Sequence, residues 1–239
     1  MKTQNLWLTG PAGRASTLFG LFGLAASIAL AQLPGAAEVK EQLQQSAAAN
    51  KERLAHYTWQ EHQTVSLKGD VKSQTLYQVR TGPDGKPQKT DLSPPPPPPS
   101  GRRMKQHIVE KKVGELKEYA QQIAQLVQTY VPPNPQKMKE AFQQGSGALS
   151  EAGPGSVQVA FTNYNLQGDS MKLVFNRATK SIESVQVSSY LNNDPSDAAT
   201  FTAQFSKLPD GTNYMSSATV NGVKKQLTIQ IQNTNYQPL

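Results

Sequence analysis

The residues of this sequence that could do chemistry are few, and their spacing assembles no recognisable catalytic or metal site. The histidines are His56, His62 and His107; on one strand the first two would lie roughly 20 Å apart, too far to share a metal ion. The chain has no cysteine, which excludes disulfides, thiolate zinc sites and a cysteine nucleophile. It also lacks the Gly-x-Ser-x-Gly elbow of serine hydrolases. We therefore expect no catalytic residues, no cofactor and no metal.

The carboxylates of the second half of the chain also indicate no catalytic or metal site. Of Asp169, Glu183, Asp194, Asp197 and Asp210, all but Glu183 fall in predicted turns, where aspartate commonly caps backbone N–H groups. Asp194 and Asp197 could together hold calcium, but an ordinary turn is the favoured interpretation. Nothing sets two carboxylates across a cleft as a glycosidase requires. The sequence predicts a protein that is not an enzyme.

Large apolar side chains are the remaining candidates for a function, as the walls of a ligand site. They recur at alternate positions of predicted strands and along one predicted helix, so core packing is the default interpretation. The alternative is a gap between sheet and helix that accepts an apolar ligand. The candidate lining residues are Trp59, Leu116, Ile123, Val127, Phe161, Phe175, Phe201 and Phe205.

The start of the chain predicts export. Lys2 and Arg14 precede an uncharged apolar run, Thr17 to Leu30, and Ala29 and Ala31 supply the small residues that a signal peptidase reads. The run is short for a membrane span, although an uncleaved anchor is the alternative. We expect cleavage near Ala31 and a periplasmic or extracellular protein.

The net charge of +7 falls to +5 without Lys2 and Arg14. The excess is concentrated between Gly101 and Glu140, which hold eight basic and four acidic residues. A solvated helix face is the simplest interpretation, and contact of this basic helix with an anionic membrane surface is the second. Nucleic-acid binding needs a denser basic stripe with aromatic platforms, so we expect none.

The elements behind these candidates form one predicted domain over residues 32–239, following the signal at 1–31. Residues 32–93 hold a helix, Ala36 to about His56, and a β-hairpin that turns at Lys68-Gly69-Asp70. A polyproline linker spans 94–101, a helical insertion 102–144, and an antiparallel meander 145–239. The sequence does not predict an oligomeric state.

The insertion contains the strongest periodicity of the chain. Apolar residues spaced by four and three positions from Val109 to Tyr130 predict a helix from about Arg103 to Tyr130, roughly 40 Å long. Packing on the sheet of the same domain is favoured over a coiled-coil dimer, because Gly114 costs about 1 kcal/mol in such a helix. A short helix follows from Pro135 to Gln144.

After a glycine-rich segment expected to be flexible, Gly145 to Ser156, six strands alternate between Val157 and Tyr236. Asn221-Gly222 is the strongest hairpin-turn signal among them. The fold class is therefore α+β: a curved antiparallel sheet, or half-barrel, covered by the long amphipathic helix, with a helix and hairpin before it.

Two resemblances support this layout. The region from Gly101 to Tyr236 resembles a family of uncharacterised exported bacterial proteins. It does so through Glu110-Lys111-Lys112, Tyr130-Val131-Pro132-Pro133 and Leu208-Pro209-Asp210-Gly211-Thr212-Asn213-Tyr214, and further through Glu115-Leu116, Phe161, Asn163-Tyr164, Gly168-Asp169-Ser170 and Ser189-Tyr190-Leu191. That resemblance implies no activity.

The layout is also similar to the lipoprotein-carrier superfamily of LolA and LolB, through Tyr57-Thr58-Trp59 and Asn176-Arg177-Ala178-Thr179-Lys180. This resemblance implies an antiparallel half-barrel whose apolar concave face, covered by helices, receives acyl chains. The predicted function is a non-enzymatic exported cell-envelope protein that binds an apolar ligand, such as a lipid acyl chain, between sheet and helix. The alternative is a structural or protein-interaction module of the envelope with no ligand pocket.

Overall fold

The structure, a computed structural model, describes residues 49–94, 103–131 and 133–239. The predicted signal over 1–31, the start of the first helix at Ala36 and the prolines after Pro94 lie outside the described residues. Ten antiparallel strands form a single open sheet, which confirms the predicted antiparallel sheet. The strands are β1 Tyr57–Leu67, β2 Asp70–Thr81, β3 Pro87–Asp91, β4 Gly147–Gly153, β5 Ser156–Thr162, β6 Ser170–Asn176, β7 Ser181–Tyr190, β8 Ala198–Lys207, β9 Asn213–Gly222 and β10 Leu227–Pro238.

Three helices accompany the sheet. Helix α1 is described over 49–55, α2 is Arg103–Gln128 and α3 is Pro135–Gln143. Asn134 caps α3 by accepting hydrogen bonds from the backbone N–H groups of Gln136 and Lys137, and Pro135 occupies the first turn, where its missing N–H costs nothing. Among the described residues, no helix is both long enough and apolar enough to span a membrane.

The strand order is β3-β2-β1-β10-β9-β8-β7-β6-β5-β4, so the last strand lies beside the first and the edges are β3 and β4. The β1–β2 hairpin turns where predicted: Lys68 and Gly69 both have positive φ, 55° and 83°. Two consecutive residues of that kind make the turn whose twist matches a two-residue hairpin.

Side chains alternate between two faces of the sheet, except where bulges shift the register. The inner face, which carries Val65, Phe161 and Phe201, is apolar and buried, whereas the outer face carries mostly serine, threonine and glutamine. Buried side chains of the inner face join Tyr119, Ile123 and Val127 of α2 in one hydrophobic cluster. The C-terminal half of α2 therefore packs on the inner face.

Two ends of the inner face are distinguished by the strand ends they contain. We call the end that holds Leu67, Tyr190 and Gly222 the anchored end, and the end that holds Tyr57 and Asn213 the far end. The strand pairing assigns the termini of the other strands to one of these two ends. Helix α2 meets the sheet at the anchored end. Helix α1 lies at the far end, where the Asn50 side chain exchanges two hydrogen bonds with the backbone of Asn213, at 2.9 and 2.6 Å.

Three expectations from the sequence were wrong. The segment Gly145 to Ser156 is not a flexible loop but contains β4, so seven strands follow α3 instead of six. Strand β3 was not expected at all. Asn221-Gly222 does not form the turn before β10, because both residues belong to β9 and the turn is made by residues 223–226, closed by a hydrogen bond from Gln226 N to Val223 O of 3.0 Å.

Candidate functional site

The candidate lining residues all lie in the inner layer, but they divide between its two ends. Four of them, Ile123, Val127, Phe161 and Phe201, share the hydrophobic cluster and are 1–4% exposed. Phe205 is half-buried and packs against that cluster. The other three lie outside the cluster: Trp59 and Phe175 are buried toward the far end, and Leu116 is half-buried on α2.

Helix α2 is fixed at the anchored end by a buried hydrogen bond between Tyr119 and Asp197. The Tyr119 hydroxyl donates to Asp197 Oδ1 at 2.7 Å, and the carboxylate is only 2% exposed. Burial, with the carboxylate acceptor beside it, raises the pKa of the Tyr119 hydroxyl above its usual value. Tyr119 therefore remains a donor across the physiological pH range. Lys224 lies 3.7 Å from the same carboxylate.

A second buried hydrogen bond fixes the end of α2. The Tyr130 hydroxyl donates to Asp169 Oδ2 at 2.5 Å and lies 2.8 Å from Ser189 Oγ. Burial and the neighbouring carboxylate raise the pKa of the Tyr130 hydroxyl as well. Asp169 also accepts from the backbone N–H groups of residues 164–166, at 2.5–2.9 Å. One carboxylate therefore orders the β5–β6 turn and holds the helix.

The far end of the inner face carries an aromatic cluster, defined as Tyr57, Trp59, Tyr214 and Tyr236. Trp59 and Tyr236 stack with ring centroids 5.4 Å apart and planes 12° apart, and the Tyr214 ring lies 4.3 Å from that of Tyr236. The Tyr57 ring meets Tyr236 edge-on at 6.5 Å. Burial raises the pKa of Tyr236, with Tyr214 and the Glu61 carboxylate adding to the effect. Aromatic groups with a polar tip suit the border between an apolar site and water.

A β-bulge in β10 aims Tyr236 into this cluster. The register with β1 shifts between Thr58 and Gln60, because two residues of β10, Asn235 and Tyr236, face the single Trp59. Asn235 has a φ of 53°, a left-handed conformation that asparagine tolerates better than most residues. In a regular strand that kept both residues, Asn235 would face inward and Tyr236 would lie with Thr234 on the outer face.

Next to the aromatic cluster lies a buried ion pair. Lys89 Nζ is 2.5 Å from Glu61 Oε1, and the two side chains are 10% and 4% exposed. The Lys89 ammonium also lies 5.6 Å from the centroid of the Tyr77 ring. Burying two charges costs desolvation free energy that their mutual attraction often fails to offset. Stability alone therefore does not explain such a pair. Its presence marks this region as a candidate site.

Strands β9 and β10 separate beside the ion pair. Their ladder ends at Gln232 and Ser217, beyond which β9 pairs with β8 and β10 pairs with β1. The Asn233 side chain bridges the separated strands by donating from Nδ2 to Met215 O at 2.9 Å. Its Oδ1 is buried and has no hydrogen-bond partner among the described residues. A buried acceptor without a partner costs about 1–3 kcal/mol.

Sequence reasoning named Trp59 but missed Glu61, Lys89, Asn233 and Tyr236. Glu61 occupies an inward position of β1, so an acidic residue at an apolar phase of the alternation was the available signal. Lys89 and Tyr236 gave no such signal, because one lies on an unexpected strand and the other owes its direction to a bulge. In the part of the chain that the structure describes, no three His, Cys, Asp or Glu side chains are grouped as metal ligands.

Solved structures that are similar to this chain include two bacterial proteins. No family model and no curated protein matches the chain. A DUF1329 family protein from Desulfovibrio piger aligns with a TM-score of 0.38 at 10% identity, over 80% of this chain and 90% of that one. A LolA superfamily protein from Nitrosomonas europaea aligns with a TM-score of 0.33 at 9% identity, over 80% of this chain and 93% of that one.

Proposed function

We propose that this chain is a non-enzymatic, exported cell-envelope protein that binds an apolar ligand, such as a lipid acyl chain, between the sheet and its helices. The observation that carries the proposal is the division of the inner face. The helices join the hydrophobic cluster mainly at the anchored end, held there by Tyr119 and Tyr130. The far end presents Trp59, Phe175 and the half-buried Phe205 and Ile182.

Physical chemistry favours an apolar occupant at the far end. Burying hydrocarbon gains about 25 cal/mol per Å², and an acyl chain adds about 0.8 kcal/mol for each buried CH₂ group. A chain of ten carbons lying along the inner face would therefore gain several kcal/mol. The aromatic cluster would stand where the apolar tail meets the polar surroundings.

A second candidate function is a structural or interaction module with a filled core. The observation in its favour is that Ile123, Val127, Phe161 and Phe201 are as deeply buried as residues in an ordinary protein interior. Under this alternative, amphiphiles with alkyl tails would not bind between the sheet and α2.

The test uses Trp59 as its reporter. The chain has two tryptophans, Trp7 and Trp59, so a Trp7→Phe variant of the full chain fluoresces from the aromatic cluster alone. Adding decanol should shift Trp59 emission in a saturable way, and native mass spectrometry should show one bound molecule. Unchanged emission and a ligand-free mass would exclude the proposal.

A matched pair of variants locates the binding. Ile182→Glu places a charge on the inner face, whereas Val174→Glu places the same charge on the outer face of the adjacent strand; both residues are half-buried. Because a charge is costly beside an apolar ligand, Ile182→Glu should weaken decanol binding about tenfold or more. Val174→Glu should leave it unchanged. Equal effects would place the ligand elsewhere.

A further inference from the structure

The Asn233 amide is held in one orientation at the far end of the inner face. Because Nδ2 donates to Met215 O, the amide cannot be turned over without losing that hydrogen bond, so the unpartnered atom is the oxygen. The residue is 7% exposed, and its strand position is directly opposite Glu61. Side chains directly opposite each other on one face lie about 5 Å apart at Cβ. The side chains of Asn233 and Glu61 therefore start from neighbouring positions of the inner face.

The charges around this pair of acceptors do not favour an anion. Lys89, the nearby cation, is already engaged with Glu61 Oε1 at 2.5 Å and with the Tyr77 ring. Asp91 is opposite Tyr77 on the neighbouring strand, and Asp210 accepts a hydrogen bond from Tyr57 at 2.9 Å. A carboxylate or phosphate group here would meet the Asn233 acceptor and the negative charges of these carboxylates.

The immediate surroundings suit an amphiphile. Trp59 and Tyr236 stack against each other beside Glu61, and the separation of β9 from β10 interrupts the ladder at Asn233. A hydrocarbon tail on the apolar inner face would bring its polar end to this interruption.

We propose that Asn233 and Glu61 form a head-group subsite that accepts hydrogen bonds from a donor head group without negative charge, such as a hydroxyl or an ammonium group. The inference rests on the proposed binding of an apolar ligand and adds the chemical class of its head. It makes Asn233 a specificity-determining residue: burial of the tail supplies the affinity, and the head group determines which amphiphile binds more tightly.

The experiment compares four probes with one tail on the full-length Trp7→Phe chain: decanol, decylammonium, decanoate and methyl decyl ether. Because the ether has no donor, decanol should bind about tenfold tighter than the ether, the ratio expected for one hydrogen bond to a buried acceptor. Decylammonium should also bind tighter than the ether, and decanoate should bind more weakly than decanol. This ranking needs no substitution at the subsite.

Asn233→Leu then tests the residue. It replaces the amide by an apolar group of similar size, so decanol and the ether should bind equally, while Thr234→Leu on the outer face should keep the tenfold ratio. If decanol and the ether bind equally to the Trp7→Phe chain with Asn233 unchanged, the head-group inference is overturned and the proposed function stands. If none of the four probes binds, the proposed function itself fails. A ratio that persists in Asn233→Leu would assign the choice of head group to another residue.

Discussion

At the scale of single residues, the attachment of α2 depends on tyrosine hydroxyls that donate to buried aspartates. Tyr119→Phe keeps the ring but leaves the Asp197 carboxylate without its 2.7 Å donor in a site that is 2% exposed. We expect the free energy of unfolding to fall by about 1–3 kcal/mol, as measured by denaturant titration.

Tyr57→Phe is the matched control for that change. It removes a tyrosine–aspartate hydrogen bond of 2.9 Å to Asp210, but an exposed one. Its effect on the free energy of unfolding should be much smaller than that of Tyr119→Phe, because water can replace an exposed hydrogen bond. If the two variants lost equal free energy of unfolding, the buried hydrogen bond to Asp197 would contribute no more stability than the exposed one.

Gly222 is the second residue-scale feature, because α2 approaches the backbone of β9 at this point. A Cβ placed there would lie 2.5 Å from Tyr119 Cε1 and 2.6 Å from Ile123 Cδ1. Gly222→Ala should therefore destabilise the protein by about 1–3 kcal/mol. Gly114→Ala, at an exposed helix position with nothing within 4 Å, should instead stabilise it by about 0.5–1 kcal/mol. Thermal unfolding of both variants checks the opposite signs.

Gly222 also shows a limit of predicting structure from neighbouring residues in the sequence. Asn221-Gly222 has the composition of a tight turn, and the sequence predicted one there. The glycine is required instead by a helix more than ninety residues away in the chain, and that contact has no local signature. By contrast, Lys68-Gly69 turns as predicted, because nothing distant competes with its backbone preference.

At the scale of elements, the strands with alternating apolar residues were predictable, and the edge strands were not. Strand β6 and most of β5, β7 and β8 bury every second residue, so their period of two is visible in the sequence. Strand β4 is almost entirely exposed, and β3 has no buried apolar residue. Their strand structure comes from pairing with β5 and β2, which leaves no hydrophobic pattern to read.

The bulge in β10 gives an element-scale prediction. Asn235→Val keeps both residues but disfavours the left-handed conformation of the bulge, because a β-branched residue rarely adopts a positive φ. A strand straightened in this way would face Asn235 inward and Tyr236 outward, so the stack on Trp59 would be lost. The Trp59 emission of the Trp7→Phe chain should then move to longer wavelength as the indole becomes more exposed. Asn235→Gly retains the positive φ and should retain the emission of the parent. Unchanged emission in Asn235→Val would contradict the role of the bulge.

At the scale of the whole molecule, the buried tyrosines predict a loss of stability in alkali. Burial raises the pKa of the Tyr119 and Tyr130 hydroxyls above the usual value of about 10. Above pH 10 the unfolded chain ionises these tyrosines more readily than the folded one, so the folded state loses stability as the pH rises toward the folded pKa. Below pH 10 their contribution is fully present.

We therefore expect the free energy of unfolding of the parent to fall steadily from pH 10 to pH 11. The Tyr119→Phe/Tyr130→Phe variant should be less stable at pH 8 and should lose less stability over the same interval. Parallel curves for the two proteins would show that the helix anchors do not carry the alkaline transition.

The central claim is that an apolar ligand lies against the far end of the inner face, between the sheet and its helices. A decanol analogue with a photoactivatable diazirine in its tail, irradiated with the full-length protein and followed by peptide mapping, tests it most directly. The account predicts labels on inner-face residues of the far end, foremost Phe175, Ile182 and Phe205, that excess decanol suppresses. Labels confined to outer-face residues such as Val174, or labels that excess decanol leaves unchanged, would contradict it.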